Sequence, residues 1–125
     1  MTQALCTQFS VLDDYLSKPE PIFNWRHIPE LSFKTLNGNQ AYVLNVTSLE
    51  YLDTSKVYGP KGSKWDHEVI IIVPKHMTKP TTLSSVYLAT GCASYQDNWV
   101  PRIDEDLLIV DQTAKNTGAV SVAIK

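Results

Sequence analysis

Asp104-Glu105-Asp106-Leu107-Leu108-Ile109-Val110-Asp111-Gln112-Thr113-Ala114-Lys115-Asn116-Thr117-Gly118-Ala119-Val120-Ser121-Val122-Ala123-Ile124 encodes a helix and then a strand, and that succession decides the fold class. Asp104 is the expected N-cap of a helix over 104–117, and Glu105 and Asp106 put negative charge in its first turn, beside free backbone N–H groups. Leu107, Val110 and Ala114 recur at helical spacing with Leu108 beside them, Lys115 lies in the last turn, and Gly118 stands at the C′ position. Ala119 to Ile124 then reads as a strand.

Upstream, Leu83 to Ala89 reads as another strand, entered after Pro80 and ending in the small residues Thr90-Gly91-Cys92-Ala93-Ser94. Strand, loop, helix and strand make a βαβ crossover, which implies parallel pairing and a right-handed connection. Parallel strands need cover on both faces. The sequence stops at Lys125, directly after the last strand, with no second helix following. The expectation is therefore an α/β sheet of about four main strands with one crossover helix, cut short at the C-terminus.

The other strands are legible further from this unit. Val69 to Val73 is five consecutive β-branched apolar residues, a pattern that predicts a strand covered on both faces and closed by Pro74. Ala41 to Thr47 alternates, with Tyr42, Leu44 and Val46 on one face and Val43, Asn45 and Thr47 on the other, expected to be wetter. Asn37-Gly38 predicts a turn, because both residue types tolerate positive φ. Residues 22–36 fit one or two short strands, and residues 11–18 a short helix stopped by Pro19 and Pro21. Residues 48–63 form a long connection ending in turn-rich Gly59 to Ser63.

The 125 residues fit one domain, 1–125, and 43 % apolar content with 19 % charged residues suits a packed core. A net charge of −2 argues against a nucleic-acid partner, which calls for a broad positive field. No apolar run is long enough to be read as a transmembrane segment. Residues 1–10 read as disordered and lack the basic and apolar regions of a signal peptide, which fits a cytoplasmic protein or a late-starting reading frame. Cys6 and Cys92 are either one disulfide or two unrelated thiols. There is no zinc-type spacing, so neither a metal nor a cofactor is expected.

Catalytic residues cannot be assembled from this sequence. It has no G-x-S-x-G elbow, and His27, His67 and His76 follow no nucleophile of that kind. Gly91 and Cys92 lie where a strand turns towards a helix. They form either an oxyanion-type loop of backbone N–H groups or a simple turn. Asn45-Val46-Thr47 is an N-glycosylation sequon at Asn45, relevant in the secretory pathway. Trp65, Asp66, His67 and Glu68 are either an acid–base or metal cluster or a hydrogen-bonded strand edge with Trp65 packed on the core. Lys56, Lys61 and Lys64 read as a solvated loop.

Leu12-Asp13-Asp14-Tyr15-Leu16-Ser17-Lys18-Pro19-Glu20-Pro21 followed by Trp25 resembles the opening of the PhoPQ-activated pathogenicity-related proteins. That family includes the autocrine proliferation repressor proteins of amoebae. Tyr42 to Ser48, Trp65-Asp66-His67 leading into Ile70 to Pro74, Asp104 to Leu108, Thr117-Gly118 and Val120 to Ile124 match in order, so the resemblance runs from about Val11 to Lys125. It implies an α/β-hydrolase-like sheet of which this chain is the N-terminal part. It also implies a secreted or extracellular location and a signalling or virulence-associated role through a cell-surface protein or receptor. The alternative it implies is the first half of an esterase or peptidase whose nucleophile and histidine lie beyond Lys125. The family's glycine-rich loop departs here to Gly91-Cys92-Ala93.

Overall fold

A computed structural model of the protein describes residues 11–50, 55, 62–89 and 104–125. Residues 1–10, Lys56, Lys61 and the segment carrying Gly91 and Cys92 lie outside the described residues.

Helix α2, Glu105–Thr117, begins where the capping signal placed it. Asp104 is extended, and its carboxylate accepts the Leu107 N–H at 2.9 Å. That bond satisfies one of the donors a helix start leaves free. Gly118 ends the helix at φ 65° and donates its N–H to the Ala114 carbonyl at 2.9 Å. A side chain at Gly118 would meet this left-handed backbone and collide with Thr78 Oγ1. The Thr78 and Lys79 N–H groups both donate to the Gly118 carbonyl, which fixes the exit from the helix.

Strand β6, Val120–Ile124, follows at once and pairs in parallel with β5, Ser84–Leu88. The crossover expected from the sequence is thus present. On its other side β6 runs antiparallel to β4, Lys64–Val73, and β4 runs antiparallel to β3, Gln40–Glu50. The short strands β1, Asn24–His27, and β2, Phe33–Lys34, both pair with β3. The result is a mixed six-stranded sheet in the order β1-β3-β4-β6-β5, with β2 beside β3. Helix α1, Val11–Leu16, contributes no buried residue.

Residues paired across neighbouring strands share a face, so the register sorts the whole sheet. On one face Ala41, Ile70, Ile72 and Ala123 are buried against Leu107, Val110 and Ala114 of α2, with Phe33 and Tyr87 packed beside them. The other face carries Tyr42, Val69, Ile71, Val73 and Val122, none of them fully buried.

Two expectations change here. The run Val69 to Val73 is not covered on both faces: Ile70 and Ile72 are buried, but their neighbours are only half-buried. The polar side of β3 is not the wetter one, because Val43, Asn45 and Thr47 lie on the helix-covered face and Tyr42 is 39 % exposed on the other. The reason is the placement of α2, which the alternation within a single strand does not encode.

Asp111 is the polar exception in the apolar stripe of α2. Its Oδ1 accepts from Asn39 Nδ2 at 2.7 Å and its Oδ2 from Asn37 Nδ2 at 2.8 Å. Asn39 Oδ1 accepts the Lys75 N–H at 2.9 Å, and Lys115 Nζ donates to Asn37 Oδ1 at 2.9 Å. The turn at Gly38, with φ 78°, holds both asparagines against the helix. Every partner in this network is satisfied, so its role is to lock the helix onto the β2–β3 turn.

Candidate functional site

The candidate site lies where the carboxyl end of β6 meets the start of α2 and the middle of β4. In sheets with parallel strands, the ends of the strands and the helix N-termini beside them gather polar groups. Lys125 follows β6 and exchanges two backbone hydrogen bonds with Glu68, at 2.9 and 3.2 Å. Its ammonium donates to Asp104 Oδ2 and lies 3.6 Å from Asp106 Oδ2. Asp104 therefore both caps α2 and ties it to the last strand.

Glu68 faces the same region from β4. It stands opposite Asn45 in the register and on the same face as the buried Ile70 and Ile72. It is only 7 % exposed. Glu68 Oε1 and Asn45 Oδ1 are both buried and have no hydrogen-bond partner among the described residues. Burial pushes the Glu68 carboxyl above the usual range; Lys125 opposes this and Asp104 adds to it. Asp104 is held below the usual range, because the bonds from Lys125 and from the Leu107 N–H outweigh the effect of its burial.

The Trp65–Glu68 group pairs with β3, and the pairing with β6 begins only at Glu68 and Val69, so residues 65–67 border the sheet on that side as a hydrogen-bonded strand edge. Trp65, however, is not packed into the core: it is 48 % exposed on the face away from α2. Asp66 Oδ1 accepts from Thr47 Oγ1 at 2.6 Å, and His67 Nε2 lies 2.9 Å from Ser48 Oγ beside a β-bulge in β3. Ser48 Oγ also lies 3.3 Å from the Trp65 carbonyl, so its one proton goes to that carbonyl or to the His67 ring according to the imidazole tautomer. In either arrangement the Ser48 hydroxyl ties β3 to β4 beside the bulge.

The remaining histidines are elsewhere. His27 on β1 bonds Ser32 Oγ at 3.0 Å and lies against Tyr42, and His76 is exposed after β4. Among the described residues no group of three or more His, Cys, Asp or Glu is placed to hold a metal. Asn45, the sequon residue, sits within β3 with its Oδ1 shielded from solvent.

Sequence reasoning did not bring Glu68, Asn45, Asp104 and Lys125 together. One signal was available: Glu68 lies two residues before Ile70 and four before Ile72, which places it on their face of the strand. The Asp104–Lys125 pair needs the crossover to be folded before it can be seen.

The comparison with known proteins points to one relative. The chain is similar to Autocrine proliferation repressor protein A of Dictyostelium discoideum. The two are 31 % identical over 115 residues, which is 90 % of this chain and 20 % of that protein. The chain thus spans about a fifth of the length of the curated relative it matches. This likeness supports a relationship to the autocrine proliferation repressor proteins. No family model and no solved structure matches the chain. Among the described residues no helix is long and apolar enough to cross a membrane.

Proposed function

We propose that this chain forms the opening portion of a protein of the autocrine proliferation repressor type, built on an α/β-hydrolase-like sheet. The assembled protein acts outside the cell, restraining proliferation by binding a cell-surface protein. The observation that carries this reading is the identity to Autocrine proliferation repressor protein A along 90 % of the chain. The sheet supports the fold half of it: a parallel β5–β6 pair with α2 as its crossover, joined to antiparallel β3 and β4. Purified protein added to growing Dictyostelium discoideum cells is expected to bind them saturably and to slow the rise in cell density. Unchanged growth without saturable binding overturns the reading.

The same strand order favours a second reading, the first half of an esterase or peptidase whose nucleophile and histidine lie outside these 125 residues. On that reading the isolated chain leaves acyl esters at their background rate of hydrolysis. Turnover by the 125 residues alone would place the catalytic groups within them instead.

A further inference from the structure

Glu68 Oε1 and Asn45 Oδ1 are two acceptors, both buried, and among the described residues no donor is bonded to either. They belong to residues directly opposite in the β3–β4 register and on one face of the sheet. Two shielded oxygens without a donor are costly, and one hydrogen placed between them satisfies both. We propose that Glu68 is a carboxylic acid whose O–H donates to Asn45 Oδ1, so that this cross-strand pair is a proton-binding site controlling the pairing of Lys125.

The charged groups around the pair define what that proton does. Lys125 comes from β6, Asp104 and Asp106 from the start of α2, and Arg26 from β1 opposite Asn45. Asp66 shares the face of Glu68 on β4 and accepts from Thr47. With Glu68 neutral, the carboxylates paired with the Lys125 ammonium among the described residues are those of Asp104 and Asp106, and the ion pair clamps the helix start to β6. When the proton leaves, a buried carboxylate appears beside Lys125 and draws the ammonium away from Asp104. The raised proton affinity that burial gives Glu68 and the lowered affinity of Asp104 agree with this division of charge.

The sign of the pH dependence follows. A carboxyl that binds its proton more tightly when folded adds stability at low pH. That stability is lost as pH rises from the ordinary carboxylate range through the folded midpoint. The direct test is a carbon-detected NMR titration of the side-chain carboxyls in the full chain. Glu68 is expected to titrate above the ordinary glutamate range. A Glu68 midpoint within or below that range overturns the proposal, and it is also the result expected if the Asn45 amide were rotated to donate to a charged Glu68. In Glu68→Gln the amide donates to Asn45 at every pH, so the alkaline decline in melting temperature is expected to flatten. A decline parallel to that of the natural protein overturns the proposal. If that variant does not fold, the titration of the natural chain decides alone.

Discussion

On one face of the sheet Ala41, Ile72 and Ala123 lie under α2 with no exposure at all, whereas on the other Val86 and Leu88 are 59 % and 73 % exposed. Within each strand the side chains alternate between the faces, so that Tyr42, next to Ala41 in β3, is 39 % exposed. Apolar content does not separate the two: Val69 and Ile71 are chemically close to Ile70 and Ile72. What separates them is the crossover helix, which covers one face of the parallel strands and leaves the other open. The polar groups divide the opposite way from expectation. Glu68 and Asn45 lie on the covered face, while Trp25 and Trp65 lie on the open one. Burial here is set by topology, and polar groups on the covered face are tolerated where partners, or a proton, meet them.

The sharpest way to break this comparison is to truncate neighbours in one strand. Ile72→Ala removes a side chain with no exposure from the contact with α2 and is expected to cost about 4 kcal/mol. Ile71→Ala, one residue away on the open face, is expected to cost about 1–2 kcal/mol, since less area leaves water there. Urea denaturation of both variants measures the difference. Equal losses would mean that the open face is buried in solution. Asp111→Ala comes next, at about 2–3 kcal/mol, because it removes the carboxylate that accepts from the Asn37 amide and leaves the Asn39 amide only its longer bond to the Asp111 carbonyl.

The covered face was legible in the sequence to different depths. Local signals carried the helix: Asp104, the 107–110–114 stripe and Gly118 each act within one turn, and α2 spans Glu105–Thr117. The parallel pairing of β5 and β6 followed from the crossover, and the turn at Gly38 from its residue types. The assignment of faces did not follow. Alternation in Ala41 to Thr47 shows that two faces exist, but only the position of α2 says which is covered. The site was less legible still. The sequence marks Asp104 as a cap, which it is, yet its bond to Lys125 spans the whole helix and strand between them. Along the sequence Glu68 stands with Asp66 and His67, whereas across the sheet its neighbours are Asn45 and Lys125.

A smaller effect probes how the covered face is closed at its end. Asp104→Ala removes the N-cap and the Lys125 partner together and is expected to cost about 1–2 kcal/mol at neutral pH. Because the folded protein holds the Asp104 carboxyl below its usual range, its contribution is present above that range and is lost as pH falls through it. Natural protein and variant should therefore converge in melting temperature on acidification. A gap that stays constant down to low pH would assign the loss to helix packing alone.

The smallest expected change in stability comes from the open face, and it is paired with the clearest change in surface behaviour. Leu88 lies on β5 at the edge of the sheet and Val86 precedes it on the same face. Both are mostly exposed, so Val86→Thr with Leu88→Thr, which puts a β-branched residue at each position, is expected to shift stability by less than about 0.5 kcal/mol. The same pair of substitutions replaces two neighbouring exposed apolar side chains of the sheet with hydroxyl-bearing ones. Binding of the dye ANS, and aggregation at high concentration, should fall together, because both need contiguous apolar area. A loss of stability of the size predicted for Ile72→Ala, with dye binding unchanged, would show that the two faces are equally covered and would remove the contrast between them.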